Sequence, residues 1–145
     1  PSQFESIQVG TDSLVLLSAT DEQGGPLWNL SDRNKPAHYL AYSEESGLGR
    51  IVAAKYSDGI FPSLETVVTS RLAVTLQSMA RDGRGVAWLP LSLAAADVQA
   101  GRLVRAAPPE QDIEMAIRLF RPRSPQGQNA ETFWSRLQSS EDSKK

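Results

Sequence analysis

Short apolar runs separated by polar turns mark the predicted strands of this chain. The run Leu14–Ala19 lies between the polar segments Gly10–Asp12 and Asp21–Pro26, and its length is typical of a strand buried on both faces. Alternating apolar and polar positions over Phe4–Val9 predict an extended segment directly before it. Further apolar or β-branched runs predict strands at Ala37–Tyr42, Val67–Thr69, Val86–Leu89, Leu103–Val104 and Ile113–Phe120.

Between these runs the apolar spacing changes to that of helices. Ser43–Ser46 can cap a helix that continues through Leu48 to Tyr56, and Ser70 can cap a helix with Leu72, Leu76 and Met79 on one face. The remaining predicted helical segments are a single turn at Leu27–Asp32, a short helix at Ser92–Ala100 and a last helix at Ala130–Leu137. Because strands alternate with helices, we expect an α/β fold with right-handed crossovers and a largely parallel sheet.

Composition narrows the function without naming it. The 145 residues are 40% hydrophobic, so the chain can bury a core without disulfide or metal staples. The absence of Cys excludes thiolate nucleophiles, cysteine-ligated zinc and iron–sulfur sites. A net charge of −2 without a basic face excludes nucleic-acid binding by this segment alone. No run approaches the roughly 18 apolar residues of a membrane span. The first residue is not Met, so we expect a processed chain or a piece of a longer one.

Few residues offer catalytic or metal chemistry. His38 is the only histidine, and it lies within a predicted strand with no G-x-S-x-G motif beside it, so a packed or surface position is the simpler interpretation. The acidic turn Asp21–Gly24 lacks the alternating ligands of a calcium loop. We therefore predict no catalytic residue, no metal and no cofactor. A small α/β enzyme that uses His38 as its base is an alternative.

Polar residues at the ends of predicted parallel strands form the candidate ligand site. Ligands of parallel sheets bind beyond the carboxyl ends of strands, where helix amino termini offer free amides. The hydroxyls there suit a polar or anionic small molecule. Ser46 and Ser70 as plain helix caps, and Trp88 as plain core, are the alternatives. The predicted ligand-binding residues are Tyr42, Ser43, Ser46, Thr69, Ser70, Trp88 and Pro90.

The order of several motifs resembles a known family. A helix at Leu72–Met79 runs into Arg81–Pro90, where a Gly-Arg-Gly turn precedes a short apolar strand that ends in Leu-Pro. Val98–Val104 then closes a helix with Gly-Arg-Leu-Val, and Ile117–Pro122 follows. Together these segments are similar to the C-terminal part of the effector-binding domain of LysR-type transcriptional regulators. Phe4–Ser6, Ser18–Glu22 and Gly83–Pro90 resemble the hypochlorite-responsive branch in particular.

The resemblance implies a Rossmann-like architecture of the periplasmic-binding-protein type 2 kind, with two subdomains of which the first is incomplete. It assigns residues 1–16 to a crossover and the end of the first subdomain, 17–84 to the second, 85–138 to the return, and 139–145 to a disordered tail. A small-molecule effector would bind between the subdomains, and DNA would be bound only through a missing N-terminal helix-turn-helix. The full-length protein is expected to be a cytoplasmic homodimer or homotetramer without membrane contact.

Two further implications follow from the resemblance. The branch is thought to sense oxidant through methionine, but Met79 and Met115 both lie in elements where a core role is the simpler interpretation.

A periplasmic-type solute-binding protein has the same lobed architecture, and it is the second alternative to a transcription regulator.

Overall fold

The structure, a computed structural model, describes residues 4–31, 35–56 and 64–122, in which strands and helices alternate. A 3-10 turn at Pro109–Gln111 precedes the last strand. The elements in chain order are β1 (Phe4–Ala19), β2 (Ala37–Tyr42), α1 (Gly47–Tyr56), β3 (Leu64–Ser70), α2 (Ala73–Arg81), β4 (Ala87–Pro90), α3 (Leu91–Gln99), β5 (Leu103–Arg105) and β6 (Ile113–Pro122).

Strand β1 is the centre of the larger sheet. It pairs with β4 on one side, where Leu16 faces Trp88, and with β5 on the other, where Ser18 faces Val104. All six residues of Leu14–Ala19 are at most 7% exposed, so the prediction of a strand buried on both faces is confirmed. Burial by neighbouring elements on both sides explains why this run is continuously apolar.

The expectation of a largely parallel sheet is wrong for β1, which is antiparallel to both β4 and β5. The parallel pair is β2 with β3, which are joined through α1. A crossover helix dictates parallel strands only where it connects them, and β1 reaches β2 through a loop. Residues 27–31 of that loop form bends and a turn, not the predicted helical turn. The Asp21 side chain accepts hydrogen bonds from the backbone N–H groups of Gln23 and Gly25, which fixes the beginning of this loop.

A close backbone approach joins β2 to the segment that leads into β4. The Val86 N–H donates to the His38 carbonyl and the Leu40 N–H donates to the Val86 carbonyl, each at 2.9 Å. A Cβ atom on Gly85 would lie 2.6 Å from the His38 carbonyl oxygen, so only glycine fits there. The contact brings Trp88, at the centre of β4, next to the parallel pair.

Helices α2 and α3 are joined by a buried ion pair network around Asp97, which is 2% exposed. Its carboxylate lies 2.6 Å from Arg102 Nε, 2.8 Å from Gln77 Nε2 and 3.5 Å from Arg81 Nη1. Burial by itself raises the pKa of Asp97, but the hydrogen bonds from Arg102 and Gln77 and the charge of Arg81 hold it below its usual value. The carboxylate is therefore a charged structural anchor and not an available acid.

Contacts divide the chain into two compact units, residues 13–113 and residues 1–12 together with 114–145. In the described part of the second unit β6 pairs with β1. In the first unit β4 and β5 pack with β1, so the boundary predicted between residues 84 and 85 falls inside it. The subdomain assignment itself stays a prediction. The predicted helix Ala130–Leu137 and the tail 139–145 lie outside the described residues. Among the described helices, none has the length and apolar character needed to cross a membrane.

Candidate functional site

A surface cavity of about 580 Å³ lies between α1 and the parallel strands β2 and β3. Because α1 begins directly after the carboxyl end of β2, the strand, the turn that follows it and the helix all contribute to the walls. Its lining residues fall into aromatic, hydroxyl-bearing, acidic and small groups. They are Tyr39, Tyr42 and Tyr56; Ser43, Thr66 and Thr69; Glu44 and Glu45; and Ala41, Gly49, Val52 and Ala53.

All three tyrosines of the chain line this cavity. Tyr39 and Tyr42 lie on β2, and Tyr56 is the last residue of α1. The rings of Tyr39 and Tyr56 have centroids 6.3 Å apart and planes tilted by 38°. The crossover through α1 thus returns a ring to the strand on which the other two lie, and the cavity has aromatic walls on two elements.

Trp88, which lies in the core, is hydrogen-bonded to two of these tyrosines. The Tyr42 hydroxyl donates to the Trp88 carbonyl oxygen at 2.7 Å, and the Trp88 indole N–H donates to the Tyr56 hydroxyl oxygen at 3.3 Å. Trp88 is 1% exposed and does not line the cavity. One core residue therefore holds rings on both β2 and α1, the first through its backbone carbonyl and the second through its indole N–H.

Burial keeps these phenols neutral. Burial raises the pKa of Tyr39 far above its ordinary value, and the neighbouring Tyr56 and Tyr42 raise it further. Burial raises the pKa of Tyr42 as well. It also raises the pKa of Tyr56, although hydrogen bonds with Trp88 and Tyr39 act in the opposite direction. The site contains phenol groups, which hydrogen-bond to ligands, and no phenolate base.

The turn between β2 and α1 is fixed by a capping serine. Ser46 Oγ donates to the Ser43 carbonyl at 2.8 Å and accepts from the Gly49 N–H at 2.9 Å. Gly49 is buried, and a Cβ atom there would overlap the Ser43 carbonyl oxygen. Ser46 therefore satisfies an amide at the beginning of the helix, which is the structural role of a cap.

Ser43 contributes the one side chain of the cavity wall that is buried without a partner. In the part of the chain that the structure describes, its Oγ atom is inaccessible to solvent and makes no hydrogen bond. An unpaired buried hydroxyl costs about 1–3 kcal/mol. Because the oxygen is closed to solvent, a polar ligand atom would reach it only after the Ser43 side chain rotated toward the cavity, and such a hydrogen bond would recover that free energy.

The charged residues of the lining are acidic. Glu44 and Glu45 are both exposed, in the turn before α1, and Glu45 lies 3.7 Å from Arg71. No Lys, Arg or His is among the described residues that line the cavity. The described residues also contain no cluster of three or more potential ligands that could hold a metal ion. The site can bind through hydrogen bonds, aromatic faces and negative charge.

The structure brings together three of the seven predicted ligand residues. Tyr42, Ser43 and Thr69 line the cavity. Ser46 and Trp88 act as a cap and as core, which were the alternatives for them. Ser70 and Pro90 are the other two that do not line it: Ser70 Oγ accepts from the Leu72 N–H at 3.1 Å, and Pro90 ends β4. Ligand binding by any of the seven stays a prediction.

Sequence reasoning missed Tyr39, Tyr56 and Thr66. Tyr39 and Thr66 face each other in the register of β2 and β3, which no local pattern reveals. One signal was present in the sequence, since all three tyrosines fall within residues 39–56. That clustering on one strand and its following helix would have indicated an aromatic site.

Comparisons with known proteins identify the family of the chain. The family model described as "LysR substrate binding domain" matches residues 1–141. The HTH-type transcriptional regulator YjiE of Escherichia coli (strain K12) is 30% identical over 134 residues, which are 92% of this chain and 44% of YjiE. The chain thus spans less than half the length of that relative.

Solved structures of HypT from Salmonella typhimurium resemble the chain as well. The apo regulatory domain of HypT superposes with a TM-score of 0.85 at 26% identity, covering 99% of this chain and 68% of that one. Full-length HypT, described as a hypochlorite-specific LysR-type transcriptional regulator, superposes with a TM-score of 0.83 at 27% identity. That match covers 99% of this chain and 48% of full-length HypT.

Proposed function

This chain belongs to the LysR substrate-binding domain family, and we propose that its tyrosine-lined cavity binds a small polar effector that controls transcription. The likeness to LysR-type regulators and to their hypochlorite-responsive branch, both expected from the sequence, is confirmed. The expected α/β fold of the periplasmic-binding-protein type 2 kind is confirmed by the likeness to the HypT regulatory domain.

The observation that carries the proposal is the partnerless Ser43 hydroxyl in the wall of an aromatic cavity. Small-molecule sites are concave, largely apolar and lined by a few directed polar groups. Tyr39, Tyr42 and Tyr56 supply the apolar faces, while Ser43 and Thr69 supply polar groups near the carboxyl ends of β2 and β3. The placement agrees with the general position of ligands in α/β sheets.

The regulatory step is also a proposal. Joined to a DNA-binding domain in a homodimer or homotetramer, the effector domain would act in the cytoplasm, where it meets DNA. An effector changes DNA binding only if its affinity differs between two conformations of the protein. We propose that the tyrosines and the turn before α1 provide that difference, because the turn is held through Ser46 and Gly49 to the helix.

Two other functions have less support. An α/β enzyme would need His38 as its base, but the His38 ring stacks on Trp28 with centroids 4.5 Å apart and does not line the cavity. A solute-binding protein would have the same architecture. However, YjiE and HypT, which this chain resembles, are described as transcriptional regulators. Both observations support the regulator.

The test compares a variant that fills the cavity with a matched control. Ala53 is exposed on α1 and lines the cavity, whereas Ala96 is exposed on α3 and does not. A panel of small polar metabolites is screened by thermal denaturation against the wild-type chain, Ala53→Trp and Ala96→Trp. A bound effector at 100 times its Kd stabilises the folded state by about 2.7 kcal/mol. We expect compounds that stabilise the wild type and Ala96→Trp equally and Ala53→Trp much less. Equal stabilisation of all three proteins would place binding outside the cavity.

A further inference from the structure

We propose that the cavity selects a small molecule that carries a protonated amine and discriminates against anions of the same size. The proposal rests on the proposed function, since it names the chemical class of the effector for the same cavity. The sequence predicted a polar or anionic effector from the hydroxyls at two helix starts, and the present proposal keeps a polar ligand but replaces the anion with a cation.

The charge at the mouth of the cavity is negative. Glu44 and Glu45 line it side by side, and Arg71 pairs only with Glu45, at 3.7 Å. Among the described residues no basic group lies within 4.0 Å of the Glu44 carboxylate. A ligand amine would therefore meet one carboxylate that is compensated and one that is not. An anion would meet both without any lining cation to offset them.

The amino terminus of α1 is the feature that favours an anion, and here its effect is small. A helix amino terminus is equivalent to roughly half a positive charge. Ser46 already accepts from the Gly49 N–H, and Glu44 and Glu45 lie in the turn directly before the helix, where carboxylates offset the dipole. Because Arg71 pairs with Glu45, the unpaired negative charge is that of Glu44, and this charge alone exceeds the half charge, so the field at the mouth favours cations.

The hydrogen-bonding groups of the wall offer acceptors. The Tyr42 hydroxyl donates its hydrogen bond to the Trp88 carbonyl, so toward a ligand its oxygen can only accept. The side chains of Tyr39 and Tyr56 are hydrogen-bonded to each other. The Ser43 hydroxyl has no partner in the described chain, and once rotated toward the cavity it could accept from an ammonium group or donate to an anion, so it does not discriminate between them. An ammonium group has three donors and no acceptor, and a carboxylate has the reverse.

Aromatic faces add to the preference for a cation. A cation within about 6 Å of a tyrosine ring gains roughly 0.5–1 kcal/mol at an exposed site and about 2 kcal/mol when desolvated. Tyr39, Tyr42 and Tyr56 lie on two sides of the cavity, so an ammonium group between β2 and α1 would face more than one ring. Charge and ring electrostatics thus favour the same ligand class.

The test uses three probes of one shape, butylammonium, butanol and butyrate, titrated into the ¹⁵N-labelled chain and followed by amide shifts at Ser43–Ser46 and Tyr56. Glu44→Gln removes the uncompensated charge. Glu65→Gln is the matched control, because Glu65 is exposed on β3 and does not line the cavity. We expect butylammonium to bind about tenfold more tightly than butyrate, with butanol between them. That preference should fall at least about threefold in Glu44→Gln and stay unchanged in Glu65→Gln.

Three results would overturn the proposal: binding of butyrate at least as tight as that of butylammonium, equal preference in the two glutamine variants, or no shift with any probe. Each leaves the proposed function standing, provided that the metabolite screen finds a compound whose stabilisation is lost in Ala53→Trp. If no such compound exists, the proposed function fails on its own test.

Discussion

Each tyrosine of the cavity holds its proton more tightly in the folded chain than in the unfolded one. Burial is the main cause for Tyr39, Tyr42 and Tyr56 alike. A phenol is neutral when protonated, so above about pH 10 the unfolded chain loses these protons while the folded chain keeps them. The unfolded state then binds fewer protons, and the free energy of unfolding decreases as the pH rises further.

This difference predicts a titration that is coupled to unfolding. At about pH 11 the native chain should show little tyrosinate absorbance, and the absorbance should appear together with the loss of circular dichroism. The chain has no other tyrosine, so the signal reports the cavity alone. The same protein in concentrated urea, where its tyrosines should titrate near pH 10, is the control. Tyrosinate absorbance in a protein whose circular dichroism is still native would contradict the burial of the phenols.

For single residues, the sequence predicted roles that depend on local structure better than it predicted contacts between distant residues. Ser43 and Thr69 line the cavity because hydroxyls after a parallel strand lie near its carboxyl end, which is a local rule. Ser46 fits a local rule too, but the rule is capping. Trp88 touches Tyr42 and Tyr56, which are 46 and 32 residues away in the chain, and no spacing in the sequence indicates that contact.

Helix α1 is the element on which the shape of the cavity depends most. Its first turn contains two glycines with opposite surroundings: a Cβ atom on Gly49 would overlap the Ser43 carbonyl, whereas one on Gly47 would meet nothing within 4 Å. Gly49→Ala is expected to lower the free energy of unfolding by about 2–3 kcal/mol, because either the turn or the helix must move. Gly47→Ala should raise it by about 0.5 kcal/mol, because alanine restricts the unfolded chain.

Urea denaturation of the two variants, which are two residues apart in the same turn, separates overlap from the general effect of replacing glycine. The Gly49→Ala variant should also bind effectors of the cavity more weakly, since Ser43 and its unpartnered hydroxyl lie on the displaced turn. Equal changes in stability for Gly47→Ala and Gly49→Ala would mean that the turn yields without cost and that Gly49 does not fix the cavity wall.

For the strands, the sequence predicted which ones are buried, but it did not predict whether β1 pairs in parallel or antiparallel. The apolar run of β1 predicted that both faces of the strand are buried, and the structure confirms it. Its antiparallel pairing with β4 depends on how a chain of some 70 intervening residues returns, which the run itself does not encode. The parallel pair of β2 and β3 was predictable because α1 connects them as a crossover.

The buried residues of the core indicate which part of the chain can fold as a separate unit. Leu14–Leu17 are at most 1% exposed, and Trp88, Leu89 and Leu103 in the neighbouring strands β4 and β5 are equally buried. All of these residues belong to the compact unit 13–113. The resemblance-based assignment instead closes a subdomain at residue 84. Two fragments therefore distinguish the division by contacts from the division by resemblance.

The fragment of residues 13–113 should fold by itself, because it retains β1 from Ser13 onward together with β4 and β5, and a chain of about 100 residues buries some 60–70% of its unfolded surface. The fragment of residues 17–84 lacks Leu14–Leu16 and Trp88, so Tyr42 and Tyr56 lose the residue to which their hydroxyls are hydrogen-bonded, and the rest of β1 loses its neighbours. We expect cooperative urea unfolding and dispersed amide spectra for the first fragment, and exposed apolar surface with dye binding for the second. Cooperative folding of 17–84 would show that β4 and β5 belong to another subdomain, as the resemblance implied. A molten 13–113 would show that this unit depends on residues 1–12 and 114–145 for its packing.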